Sequence, residues 1–207
     1  MTAAPSPRDR SQASGASAHT AAAGPEGQTR TAAPSHRVRL RRKRERGSYD
    51  RTVIDAILDE ALVAHLGIVE PDGQPLVIPT LHARCGDVVY LHGSAASRTL
   101  RVLASGVRVC LTVSIVDGLV LARSAMHHSM NYRSAALFGT ACVVEGAEKA
   151  LALHALTEHL IPGRWADVRG PTERELQQTL VLGFPTVSRT LALEALEEAK
   201  QLLLAHY

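Results

Sequence analysis

The stretch Val107-Arg108-Val109-Cys110-Leu111-Thr112-Val113-Ser114-Ile115 alternates without a break. Val107, Val109, Leu111, Val113 and Ile115 fall on one side of an extended chain, and Arg108, Cys110, Thr112 and Ser114 on the other. That two-residue period is the mark of a half-buried β-strand. Asp117-Gly118 follows and reads as a hairpin turn, with Leu119 to Arg123 returning as the next strand. Upstream, Ala64 to Val69 and Pro75 to His82 flank the turn Pro71-Asp72-Gly73, and Gly86-Asp87 opens a third strand over Val88 to His92. Downstream, a long strand is expected over 131–145 and a last barrel strand over about 178–191. Short connections between antiparallel strands exclude a doubly wound sheet and point to a mainly β chain with flanking helices, closing into a small antiparallel barrel.

Helices punctuate this pattern at few places. Val53, Ile54, Ile57, Leu58, Ala61 and Leu62 recur at helical spacing with Asp55, Asp59 and Glu60 between them, which predicts an amphipathic helix over 50–62. A short helix over about 95–104 packs Leu100 and Leu103. Another runs from 146 to 160 and stops at Pro162-Gly163. Near the end, Leu193, Leu196 and Leu203 with Glu197 and Lys200 predict a C-terminal helix over 193–207. The folded domain is therefore expected over 48–192.

Charge divides the chain. Its 207 residues carry 23 Lys and Arg against 20 Asp and Glu. Ten of the bases, with only three acids, lie in residues 1–47, so the body that follows is acidic. Residues 1–35 are rich in Ala, Ser, Thr and Pro and hold too little bulky apolar surface to offset the entropy of ordering, so a disordered basic arm is expected over 1–47. Its run RVRLRRKRER at 37–46 has no interleaved aromatic residue and no reading helix, and it reads as a solvated or dimer-wrapping arm rather than a nucleic-acid binder. No apolar run has membrane-spanning length and no secretory signal is legible, so a cytoplasmic location is expected. Cys85, Cys110 and Cys142 are odd in number, lack C-x-x-C spacing and read as reduced core thiols.

Two segments carry chemistry. In His92-Gly93-Ser94-Ala95-Ala96-Ser97-Arg98 a strand ends, Gly93 permits a sharp turn, and Ser94 sits where a helix N-cap is expected. Backbone N–H groups there, with Ser97, Arg98 and Arg101, would hold a phosphate group; a Ser94 that only caps the helix, with both arginines solvated, is equally compatible with the local residues. The second segment is Ser124 to Ser134, which contains His127-His128 and then Tyr132-Arg133-Ser134. Adjacent histidines face opposite ways in an extended chain and no third ligand accompanies them, so no metal site is assigned. His154 and His159 read as surface residues, and Trp165 as a loop anchor.

Taken in order, Tyr49-Asp50-Arg51, Val77-Ile78-Pro79-Thr80, HGSAASR at 92–98, Asp117 to Arg123 and HHSMNYRS at 127–134 resemble the pyridoxamine 5'-phosphate oxidase-like superfamily, in the branch related to nitroimidazole-resistance reductases. The resemblance covers about residues 37–182. It implies an FMN-binding split β-barrel, a homodimer, and FMN bound at the dimer interface. By the same resemblance Val77, Ile78, Pro79 and Thr80 border the isoalloxazine ring, Ser94, Ser97 and Arg98 hold the phosphate, Tyr132, Arg133 and Ser134 help to close the site, and His92 lies at the flavin edge as the candidate catalytic residue. The Arg-x-His pair that oxidases of pyridoxamine phosphate proper carry near the C-terminus is missing, which separates this chain from that activity. The expected function is FMN-dependent oxidoreduction of a small aromatic, nitro or amine compound, with a non-catalytic flavin- or haem-binding module as the alternative.

Overall fold

The computed structural model describes residues 46–186, the strand backbone of 200–205, and Arg41. The basic arm expected over 1–47 therefore lies outside the described residues except for Arg41, Arg46 and Gly47.

The domain is built from nine strands and four α-helices among the described residues. Gly47–Ser48 (β1) leads into Arg51–Glu60 (α1), followed by Val63–Val69 (β2), Pro75–Cys85 (β3) and Val88–Ser94 (β4). Arg98–Ala104 (α2) precedes Arg108–Val120 (β5), Ser129–Thr140 (β6) and Cys142–Val143 (β7). Gly146–Leu160 (α3), Glu173–Gln178 (α4), Thr179–Pro185 (β8) and Lys200–Ala205 (β9) complete it. All strand pairs are antiparallel, in the order β1-β9-β6-β5-β2-β3-β4-β8-β7. This is the mainly β, antiparallel split barrel expected.

The alternating stretch sits at its centre. Val109, Leu111 and Val113 of β5 are buried, as are Ala64, Leu66 and Ile68 of β2, so the two strands turn the same parity inward. Helix α1 plugs the barrel. Its N-cap Asp50 accepts the Thr52 N–H at 2.8 Å, and Ile54, Ile57 and Leu58, at most 1% exposed, drive into the core beside Leu137, Leu182 and Phe184. Each such side chain contributes about 1.5–3 kcal/mol by leaving water.

Three local expectations are corrected. Asp117-Gly118 is no hairpin turn: β5 runs on to Val120, and the register with β6 shifts between Val116 and Gly118. Asp117 is the extra residue of a β-bulge, so the Asp-Gly pair re-aims a strand instead of ending it; the true connection spans 121–128, with a 3-10 turn at Ala125–His127. The long strand expected over 131–145 is broken at Ala141, giving β6 and β7. Where the sequence suggests a helix over 193–207, Lys200–Ala205 form a strand paired to β6 along Arg133–Phe138. The remainder of that span lies outside the described residues. An unpaired β6 edge offers this segment a full ladder of backbone hydrogen bonds, which a local helical pattern does not outweigh.

Candidate functional site

The site begins where two strands part. β3 pairs with β4 only along His82–Cys85, opposite Val88–Leu91. Beyond that point β4 follows β8, with His92 opposite Val181 and Ser94 opposite Thr179. Pro75–Leu81 of β3 are consequently paired on the β2 side alone. Val77, Ile78, Pro79 and Thr80 thus stand on an open sheet edge whose outward N–H and C=O groups have no strand partner among the described residues. Pro79, which lacks an N–H, is tolerated there because the strand is an edge at that position.

The Ser94–Arg101 turn borders this opening. Ser94 ends β4 and is not the helix cap; its Oγ accepts the Ala96 N–H at 3.2 Å. Ser97 is the N-cap of α2, accepting the Leu100 N–H at 3.4 Å. The Ala95 and Ser97 N–H groups are engaged by the Gln178 and Ser94 carbonyls, so the turn holds fewer free N–H groups than expected. Its reachable cation is Arg98, 69% exposed and paired with Glu70 of the β2–β3 turn at 3.2 Å. Arg101 is turned back on the Ala96 carbonyl at 3.2 Å. Gly93 packs under α2: a Cβ there would lie 2.8 Å from Leu100 Cδ1, so that methyl group would have to swing aside.

His92 lies on the same strand and face as Ser94, two residues before it. Among the described residues the ring makes no hydrogen bond, and its Nδ1 is sealed from solvent. Burial pushes its pKa below the ordinary histidine value, so the ring is neutral at neutral pH. It faces an open cavity of about 590 Å³ between the outer face of the barrel, the C-terminal half of α3 and the segment that follows it, lined also by Leu81, Leu156, Trp165 and Thr179.

Tyr132, Arg133 and Ser134 are not brought to this opening within one protomer. They lie on β6, which β5 and β2 separate from β3. Ser134 is buried. Arg133 is clasped by two carboxylates, donating to Glu60 at 2.6 and 2.7 Å and to Asp117 at 2.7 Å. These bonds, to Glu60 first and then Asp117, drive its pKa further up and draw that of Glu60 down. Its donors are spent on the end of α1 and the β5 bulge.

Several residues gain roles the sequence did not disclose. His159 is half-buried, not a surface residue, and its Nε2 meets the Ala61 carbonyl at 2.9 Å. Glu158 accepts the N–H groups of Gly163 and Trp165 at 2.6 and 2.7 Å, folding the chain after α3 so that Trp165 reaches the cavity. Trp165 does anchor the loop, and His154 meets it edge-on at 5.0 Å. Its being the single tryptophan was the one available signal. All three cysteines are free, but none is a fully buried core thiol: Cys142 is exposed on β7, and Cys85 and Cys110 are half-buried. No helix of the described residues is long and apolar enough to cross a membrane.

Fold and site together define a split β-barrel with an open strand edge beside a basic turn. The chain belongs to the pyridoxamine 5'-phosphate oxidase-like family, whose pyridoxamine 5'-phosphate oxidase profile matches residues 50–191. Two solved structures are each 36% identical to it. The FAD and haem binding protein from Mycobacterium smegmatis aligns over 78% of this chain and 73% of its own, with a TM-score of 0.69. The flavocytochrome from Azotobacter vinelandii aligns over 84% and 76%, with a TM-score of 0.70. A candidate 5-nitroimidazole antibiotic resistance protein from Bacteroides thetaiotaomicron, 23% identical over 76% of this chain and 86% of its own, shares the fold with a TM-score of 0.58. A comparison with curated protein sequences gives no match.

Proposed function

We propose that this protein is an FMN-dependent oxidoreductase acting on a small aromatic, nitro or amine compound. The observation that carries the reading is the open β3 edge at Val77–Thr80 next to the Ser94–Arg98 turn. An edge with unpaired amides matches the donor and acceptor rim of a flavin ring, and an exposed Arg98 matches its phosphate. The flavin supplies the electron transfer when bound. Ser94, Ser97 and Arg98 would anchor the phosphate, the β3 edge would orient the ring, and His92 would meet the substrate. The membership of the family and the flavin named for both 36%-identical relatives support this reading.

A homodimer belongs to the proposal. On the outer face of β3, β2, β5 and β6, register places Val77, Pro79, His65, Gly67, Cys110, Thr112, Ala136 and Phe138 side by side, with no Asp, Glu, Lys or Arg among them. His65, Val77 and Pro79 of this block are exposed among the described residues, and a sheet face of that composition needs a cover. A second copy would supply it, and would carry its own Tyr132 and Ser134 toward the β3 edge that they cannot reach within one protomer.

The test is a titration of the purified full chain with FMN, FAD and riboflavin, followed by absorbance, then addition of NAD(P)H. Tight FMN binding with bleaching of the flavin spectrum supports the enzyme. Equal affinity for riboflavin would remove the phosphate role, and no flavin uptake would overturn the proposal. The second reading, a haem-binding module without turnover, is favoured by the neutral imidazole of His92 in the cavity wall and by the haem named for the Mycobacterium smegmatis relative. A Soret band on the purified protein would select it.

A further inference from the structure

The cavity beside His92 has an unusual polar inventory. Thr157 and Thr179 reach into its lining, but their hydroxyls donate to the Leu153 and Glu175 carbonyls at 3.0 and 2.8 Å. Arg169 and Glu175 flank it, but they neutralise one another through two bonds of 2.7 and 2.8 Å. Glu175 also takes the Thr172 N–H and hydroxyl, and these contacts, with Arg169 foremost, hold its carboxyl far below the usual range. Among the described residues, the side-chain groups of the lining that make no hydrogen bond are the imidazole of His92, of which only Nε2 is open to a ligand because Nδ1 is sealed, and the indole N–H of Trp165. The rest of the wall is aliphatic, from Leu81 on β3 to Leu153, Leu156 and Leu160 on α3.

We infer that this cavity is the substrate site, and that it takes an uncharged one- or two-ring molecule bearing an acceptor group such as a nitro or carbonyl oxygen, held by Nε2 of His92 and the indole N–H of Trp165. A volume of about 590 Å³ falls in the range of small-molecule pockets. Ring compounds lose little conformational freedom on entering it and meet two flat side chains. A charged ligand would leave water for walls whose own charges are already paired, with nothing to compensate the desolvation. Within the substrate range proposed above, this favours nitro compounds and neutral aromatic amines over aliphatic amines, which are protonated at neutral pH. The inference rests on the oxidoreductase reading for the word substrate, but the binding itself needs no flavin.

Trp165 makes the test direct, because its fluorescence is the only tryptophan signal of the chain. The full chain, with and without FMN, is titrated with nitrobenzene, 4-nitrobenzoate and 4-nitrobenzylammonium. Saturable quenching by nitrobenzene is expected, with both charged isosteres needing at least tenfold higher concentration. His92→Phe should weaken nitrobenzene about two- to tenfold, as loss of one hydrogen bond does. Leu160→Phe, which fills the mouth at a position 47% exposed, should abolish saturation, with its circular dichroism confirming the fold. Linear unsaturable quenching, equal affinity for all three probes, or saturation that survives Leu160→Phe would overturn the inference. FMN uptake measured by absorbance on the same preparations separates the two readings: uptake without nitrobenzene saturation sinks only the cavity, and saturation without uptake sinks only the flavoenzyme.

Discussion

His82 of β3 and His159 of α3 converge on the C-terminal end of α1, their ring centroids 5.2 Å apart. The His82 Nε2–H donates to the Leu58 carbonyl at 3.0 Å, while His159 Nε2 meets that of Ala61. Carbonyls at a helix C-terminus lack intrahelical partners and carry the negative end of the helix dipole, so two histidines here fix how α1 sits in the barrel.

This arrangement makes stability depend on pH. His82 is fully buried with its Nδ1 unpartnered, and burial, outweighing the Leu58 bond, lowers its pKa below the ordinary 6.5. The repulsion of His159 adds to the lowering, and the attraction of Asp59 opposes it. A group with a depressed histidine pKa binds more protons unfolded than folded. Its contribution is complete above 6.5 and is lost as pH falls from there toward the folded value. Denaturant midpoints should therefore drop between about pH 7 and pH 5. His82→Gln should flatten that slope, the remainder belonging to His92, which is shifted the same way. A wild-type profile that is flat over this window would contradict the assignment.

Arg98 and Glu70, 3.2 Å apart, should control flavin phosphate affinity in opposite directions. Removing the cation in Arg98→Ala costs a charge-assisted bond, about tenfold or more in FMN affinity, and should leave riboflavin unaffected. Glu70→Gln frees Arg98 from its carboxylate and should tighten FMN several-fold. Calorimetric titration with both ligands reads each change, and a parallel loss for riboflavin would mark Arg98 as structural.

Val77, 65% exposed on the outer sheet face, is the position to test the dimer. Val77→Asp buries two carboxylates per twofold interface at a cost of several kcal/mol each, roughly, with no compensating partner. Sedimentation should show a dimer for the wild type and a monomer with unchanged circular dichroism for the variant. A monomeric wild type would end the proposal.

Two glycines should respond differently to alanine. At Gly93 a Cβ would meet Leu100 Cδ1 at 2.8 Å, whereas at Gly67 its nearest neighbour is the Cys110 carbonyl oxygen at 3.5 Å. Gly93→Ala should cost about 0.5–1.5 kcal/mol of stability as Leu100 moves off its rotamer, and Gly67→Ala within about 0.5 kcal/mol. Thermal unfolding of both variants checks the order.

What the sequence determined by itself is what depends on neighbours along the chain. The two-residue period at 107–115 set the parity of β5, the Ile54, Ile57 and Leu58 spacing set the buried face of α1, and five ordered segments identified the family. Tertiary structure decided everything that depends on distant partners. Asp117-Gly118 has the local signature of a turn, yet β6 continues to pair past it and Arg133 claims the carboxylate, so it became a bulge. Arg133 looks like a free cation until α1 brings Glu60 to it from 73 residues away. Lys200–Ala205 lost a helical pattern to an open strand edge. The cavity was invisible for the same reason: its two free ring nitrogens, on His92 and Trp165, are joined only by the packing of α3 across β3, β4 and β8. Periodicity records which face a residue turns inward, but only the folded chain satisfies, or leaves open, the hydrogen-bonding groups that face carries.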